Sequence, residues 1–358
     1  MEPTNHTKRF AEERPRYEKL TTKLHALLRD LLASEGIEAV IEARTKSVGS
    51  FDEKVSRPGK AYQNPLAEVT DLSGIRLVLR TQSEVDRVRT LIEREFIVDA
   101  QSSTRKIEHL AADQFGYLSE HYIIQIGQPR SQLPEWNSIT DLHVEIQVRT
   151  ILQHAWAAVQ HSLDYKSEYD IPKQLRRRLF RLSALFELAD QELDQISAEA
   201  RMLFAQYSEQ VQSDMEDVDL NTDSLKAYLE NSQTVAYWTK FIDGLGVEVG
   251  GVGDISRDIQ MARMAGLSTI GEVDKVMRTA KEWGEPYLRD FFRATFGEPV
   301  PKRRCSMVKN GVVSIFLIGS FLDVFTEEVL EGQLGWGLPQ RALVPAHQYN
   351  PRVTHNAT

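Results

Sequence analysis

The stretch Leu142–Thr150, LHVEIQVRT, constrains this chain more than any other. Leu142, Val144, Ile146 and Val148 alternate with His143, Glu145, Gln147 and Arg149. Period-two alternation predicts a β-strand with one face in a core and the other turned outward. The outward face sets an acid, an amide and a guanidinium at every second residue. Glu145 can take a proton or hold a metal, Gln147 can read a ligand edge, and Arg149 can clamp a phosphate. An ordinary sheet with a solvated polar face has the same pattern, so the assignment depends on the other segments.

Two basic segments precede this strand. A helix is expected from Tyr17 to about Ser34, with residues 1–16 frayed, followed by a short strand over 37–43. That strand runs into Arg44-Thr45-Lys46 and then Ser50 and Lys54, one helical turn apart. Three cations and a hydroxyl where a strand passes into a helix can cradle a polyphosphate; a solvated basic turn is the alternative. Asp71 then stands at the mouth of a strand, Ile75-Arg76-Leu77-Val78-Leu79, where it can hold Mg²⁺ against phosphate oxygens or simply form a turn. A helix is expected over 83–95, capped by Ser83. Gly116-Tyr117 precedes a strand over 122–126 and offers an aromatic face for a base, or a ring covering a sheet edge.

Beyond Thr150, a helix carries His154 and His161, about 10.5 Å apart along its axis, too far for one metal. Lys166 can contact a phosphate. A further helix opening at Pro172 carries a basic face, Lys173 to Arg181, beside a leucine-rich one. The acidic stretch near 213–223 reads as a boundary, with helical segments and a Gly-rich interruption after it. The apolar run Gly311–Leu322 is short of the roughly 20 residues a membrane span needs and reads as buried core. Residues 345–358 are expected to be a loose tail. A formal charge of -9 argues against a general nucleic-acid or membrane-surface binder. The single cysteine, Cys305, and an N-terminus without an apolar run are expected of a cytoplasmic protein with no disulfide framework.

Taken together these motifs resemble the synthetase domain of RelA/SpoT-type alarmone synthetases, the GTP pyrophosphokinases, over about residues 17–190. The resemblance rests on Arg44-x-Lys46 with Ser50 and Lys54, Asp71-Leu-x-Gly74-x-Arg76, Gly116-Tyr117-x-Ser119-x-His121, and Glu145-x-Gln147-x-Arg149-Thr150 running on to His161 and Tyr165-Lys166. It implies an α+β fold, a mixed five-stranded sheet flanked by helices and related to nucleotidyltransferases. Residues 17–212 would form that domain with trailing helices, and 223–345 an accessory, mainly helical regulatory region. The apolar stretch Val312–Phe325 is expected to need a partner surface on the catalytic domain.

The implied reaction moves the β,γ-pyrophosphate of ATP to the 3′-oxygen of GDP or GTP. Arg44, Lys46, Ser50, Lys54 and Arg76 would bind the ATP phosphates. Asp71 and Glu145 would be the catalytic carboxylates and hold Mg²⁺. Tyr117 would stack on the acceptor guanine, with His121, Gln147, Arg149 and Lys166 beside it. Phe115 and Leu118 flank the Gly-Tyr pair where the family often has basic or polar residues, which leaves the acceptor open. A toxin-type relative acting on the tRNA 3′ end or making adenosine alarmones, restrained by its C-terminal region, is one alternative. A catalytically dead nucleotide-binding module is another. The hydrolase signature, a His-Asp pair, is not in this sequence, so synthesis without degradation is expected. The partners implied are ATP and a guanosine nucleotide and no membrane, with tRNA, a second copy of the chain, and a ligand or protein sensed by the C-terminal region left open.

Overall fold

The computed structural model describes residues 5–57, 62–105, 119–162, 173–297 and 305–351. It divides into two compact units, Met1–Ser197 and Ala198–Thr358. In the first, α1 (Asn5–Ser34) leads to β1 (Val40–Thr45), α2 (Val48–Val55), α3 (Pro65–Glu68), β2 (Ser73–Leu79) and α4 (Gln82–Glu95). Then come β3 (Ile97–Val98), β4 (Thr104–Arg105), β5 (Glu120–Gln125), β6 (Val144–Thr150), α5 (Ile151–Ser162) and α6 (Lys173–Ser213), which crosses into the second unit.

The sheet is mixed. Its order is β1-β2-β6-β5-β3, with the two-residue β4 also pairing with β5, and only β2 and β6 run parallel. The alternation in LHVEIQVRT does what its period requires: Leu142, Val144, Ile146 and Val148 are all buried. They pack with Ile75, Leu77 and Leu79 of β2 against α1 and α4, whose core faces are Leu20, Leu24, Leu28 and Val85, Val88, Ile92. Burial of one face fixes the register, because a slip of one residue would turn every side chain over. The opposite face is thereby committed to polar residues at fixed positions.

Three expectations are corrected here. Residues 5–16 are not frayed: α1 begins at Asn5 and passes through Pro15. Phe10 is fully buried and stacks on Phe51 at 4.5 Å, which ties this otherwise polar segment to α2. The cap of α4 is Thr81, whose hydroxyl accepts from the Glu84 N–H, while the Ser83 N–H donates to Asp194. Thr81→Ala should therefore lower thermal stability by about 0.5–2 kcal/mol, and Ser83→Ala by clearly less. The segment after Pro345 is not all tail, because Pro345 lies inside a helix (below) and its last turn is pinned.

The second unit contains α7 (Thr222–Asn231), α8 (Gln233–Gly244), β7 (Glu248–Val249), α9 (Ser256–Met264), α10 (Ile270–Thr279) and α11 (Gly284–Phe296). It ends with β8 (Ser306–Met307), α12 (Gly311–Ser320), α13 (Glu327–Gly332) and α14 (Gln340–Tyr349). Its centre is α12, buried at every position from Val312 to Gly319. Phe316 lies among Trp238, Trp283 and Tyr287. The partner surface expected for Val312–Phe325 is thus supplied by the core of this unit itself. Pro345 and Ala346 of α14 are buried, and Asn350 donates to the Gly319 carbonyl at 2.7 Å, which holds the chain end against α12. No helix among the described residues is long and apolar enough to cross a membrane.

Candidate active site

The polar face of the sheet gathers its residues by register. Gly74 pairs with Glu145 on one side and Arg44 on the other, while Arg76 pairs with Gln147 and Glu42. His121 of β5 sits across from Gln147. Glu42, Arg44, Asp71, Arg76, Glu145 and Gln147 line one cleft of about 210 Å³.

On the β1–β2 side, Lys46 precedes α2, whose first turn is capped by Ser47 accepting from the Ser50 N–H. Ser50 is exposed, its hydroxyl 2.9 Å from that of Ser47. Lys46 Nζ donates to Asp71 Oδ2 at 2.7 Å and Lys54 Nζ to Asp71 Oδ1 at 2.9 Å. Burial pushes the Asp71 carboxyl upward, but the two ammonium groups outweigh it and hold its pKa below the ordinary value. The Lys46 carbonyl accepts from Arg14 Nε at 3.1 Å, so α1 also steadies this corner. Arg44 makes no ion pair among the described residues, which leaves its charge to the cleft.

On the β6 side, Glu145 Oε1 is 2.9 Å from His121 Nδ1, and His121 Nε2 is 2.8 Å from the Ser119 hydroxyl. An ionised carboxylate has no proton to give, so Nδ1–H is the donor. Burial and the nearby charge of Asp71 raise the Glu145 pKa, but the bond and charge of His121, with a bond from Gln147, together outweigh them and hold it below the ordinary value. Gln147 Oε1 accepts from Arg149 Nη2 at 2.6 Å and lies 3.4 Å from Arg76 Nε, while Arg76 Nη1 donates to Glu42 at 2.6 Å. Arg149 is only 6% exposed. Burial, with the charge of Arg76 added, pushes its pKa down to about 10. Its Nε has no hydrogen-bond partner among the described residues. A buried cation with an unpartnered donor is stabilised by an incoming anion.

Two ionised carboxylates that feel each other's charge across one cleft suit a hard divalent cation. Among the described residues no group of three or more acidic, His or Cys side chains forms a closed metal cage. This donor set fits Mg²⁺, which takes one or two carboxylates and completes its shell with water and substrate phosphates.

The structure therefore brings together Arg44, Lys46, Lys54, Asp71, Arg76, His121, Glu145, Gln147 and Arg149, with Ser50 at the margin. Tyr117 and Lys166 lie outside the described residues. Sequence reasoning missed Glu42, although it stands two residues before Arg44 on the same strand face, a signal that was present. It gave Ser119 no role, and it missed Arg14, which sits in a stretch with no apolar periodicity. Lys54→Met removes one of the two cations on Asp71. The expected result is a KM for the phosphate donor raised about tenfold or more, in steady-state kinetics on a protein with unchanged circular dichroism.

The family model for the region found in RelA/SpoT proteins matches residues 43–170, a span that holds every candidate residue from Arg44 to Lys166. GTP pyrophosphokinase YjbM of Bacillus subtilis (strain 168) is 28% identical over 200 residues, covering 53% of this chain and 88% of that protein. GTP pyrophosphokinase YwaC of the same organism is 26% identical over 154 residues, covering 42% and 70%. Among solved structures, small alarmone synthetase 1 from Bacillus subtilis bound to its product pppGpp aligns at 24% identity and a TM-score of 0.44, covering 54% of this chain and 98% of that one.

Proposed function

Residues 43–170 belong to the RelA/SpoT family, and from that premise we propose that this chain is a pyrophosphokinase making (p)ppGpp from ATP and GDP or GTP. The observation that carries the reading is the meeting, in one cleft, of a lysine-clamped Asp71 with the Glu145–His121–Ser119 chain. The 3′-oxygen of the acceptor attacks the β-phosphorus of ATP. The bond from that phosphorus to the α,β-bridging oxygen breaks, AMP departs with the bridging oxygen, and the 3′-hydroxyl proton passes to the Glu145 carboxylate. His121 keeps that carboxylate oriented and ionised. Arg44, Lys46 and Lys54 neutralise donor phosphates, and Arg76 and Arg149, coupled through Gln147, face the phosphate charge from β2 and β6. Mg²⁺, held by Asp71 and Glu145, would spread the charge of the transferring group.

Tyr117 and Lys166 are proposed to contact the acceptor. The test is incubation of the pure chain with Mg²⁺ and ATP labelled in its β- and γ-phosphates, with GDP, GTP, ATP and bulk tRNA offered in parallel. Label appearing in ppGpp or pppGpp, with AMP released one for one, is the expected result. Label in tRNA or an adenosine nucleotide alone would keep the transfer chemistry and overturn the acceptor. No labelled product with any of the four would leave a nucleotide-binding module.

A further inference from the structure

Of the three carboxylates lining the cleft, the mechanism above uses Asp71 and Glu145 and gives Glu42 no part. Glu42 shares a strand face with Arg44, and the register sets it beside Arg76, with Gln147 beyond. Its Oε2 accepts from Arg76 Nη1 at 2.6 Å, while Oε1 makes no hydrogen bond among the described residues. The side chain is 49% exposed and forms part of the cleft wall, so the second oxygen is available to a ligand. An ion pair this exposed adds little to stability.

The cleft has two ends. Asp71, clamped by Lys46 and Lys54, marks one, and the row Glu42–Arg76–Gln147 marks the other, with Arg44, Gly74 and Glu145 in the row between. No side chain rises at Gly74: a Cβ there would meet nothing nearer than the Arg44 carbonyl at 3.9 Å. Four residues separate Glu42 from Lys46, about 13 Å along an extended chain. That is comparable with the reach of a nucleotide from its base to its phosphates. Phosphates held at the lysine end leave the nucleoside for the Glu42 end. A carboxylate accepts hydrogen bonds and repels phosphate oxygens, so what it recognises in a nucleotide is an N–H or O–H of the nucleoside.

We propose that Glu42 determines the specificity of the site for the pyrophosphate donor. Held by Arg76, its free oxygen accepts from the ATP nucleoside, either from the 6-amino group of the base or from a ribose hydroxyl. This rests on the reading that the cleft takes ATP. Because Arg76 already fixes the carboxylate, the oxygen is placed before the nucleotide arrives, and its bond needs little further ordering. A nucleotide without the matching N–H or O–H would cover that oxygen and leave it unpaired, which is how a polar site rejects an analogue most strongly.

Isothermal titration calorimetry on the full chain with Mg²⁺ tests this. The titrants are ATP, purine riboside triphosphate, which lacks the 6-amino group, and 2′-deoxy- and 3′-deoxy-ATP. The wild-type chain should bind one analogue about 10- to 100-fold more weakly than ATP, and which one identifies the group. Glu42→Ala should weaken ATP and bring that analogue to within a few-fold of it, while Glu42→Gln, still an acceptor, should fall between. The ratio of the two affinities is the readout, because loosening of Arg76 alone would weaken every titrant alike. Both substitutions fall on a half-exposed side chain, so unchanged circular dichroism is expected. Equal binding of all four titrants by the wild-type chain, or an unchanged ratio in Glu42→Ala, would overturn the proposal and leave the labelled-product assay to judge the reaction. ATP bound with a Glu42-dependent ratio but giving no labelled product would overturn the proposed reaction and leave this assignment standing. No binding of ATP would overturn both.

Discussion

Glu145→Gln is expected to leave a folded protein whose pyrophosphate transfer is slower by about 10²–10⁴-fold. The substitution keeps the shape and removes only the charge and the proton-accepting oxygen. Glu145 is half-buried, and its carboxylate is bonded to His121, whose far nitrogen meets Ser119. A glutamine there still accepts from Nδ1–H, so the local structure survives while the base is lost. Asp71→Asn should be comparably damaging, because Lys46 and Lys54 lose the charge they share. Turnover within a few-fold of wild type in either variant would take that residue out of the chemistry. The pH dependence is a second readout. Both carboxylates are held below their ordinary values, so both remain ionised well into mild acid. A depressed pKa adds stability that is fully present above the unfolded-state value and is lost as pH falls through the folded-state value. Activity and stability should therefore decline together only below the ordinary carboxylate range, and the activity limb due to Glu145 should vanish in the glutamine variant.

Much of the site was readable from the chain because strand periodicity carries geometry. Once Val144, Ile146 and Val148 are assigned to the core, Glu145, Gln147 and Arg149 must share the other face, and β2 repeats the argument for Arg76. What failed to show was anything set by packing between distant segments. The first three turns of α1 read as polar because a single buried ring, Phe10, is what anchors them to Phe51. The α4 cap was misplaced because Thr81 and Ser83 are both competent hydroxyls, and Asp194, 111 residues away, takes the Ser83 N–H. The pairing of both site lysines with Asp71 likewise depends on the turn before β2 meeting the start of α2, where the Lys46 N–H donates to the Leu72 carbonyl at 2.9 Å, which no local pattern encodes.

The second unit shows the same limit in its most apolar helix, and there the expected mutational effect is large. The sequence of α12, GVVSIFLIGS, is apolar all round, so it has no wet face from which to read an orientation. Such a helix must be enclosed on every side. The enclosure comes from aromatic residues of α8 and α11 and the turn before α11: Trp238 lies 4.5 Å from Phe316, Trp283 5.9 Å and Tyr287 6.2 Å, centroid to centroid. Close approach depends on two glycines. A Cβ on Gly284 would meet the Phe316 and Trp238 rings at 2.7 Å, and one on Gly319 would meet Trp283 at 2.7 Å. With backbone so near the rings, little can collapse into a void. Phe316→Ala should therefore cost about 3–5 kcal/mol, read as a lowered denaturant midpoint in Trp fluorescence, which Trp238 and Trp283 report directly. Phe316→Leu should lose clearly less. An alanine variant with an unchanged midpoint would mean that α12 is not the centre of this core.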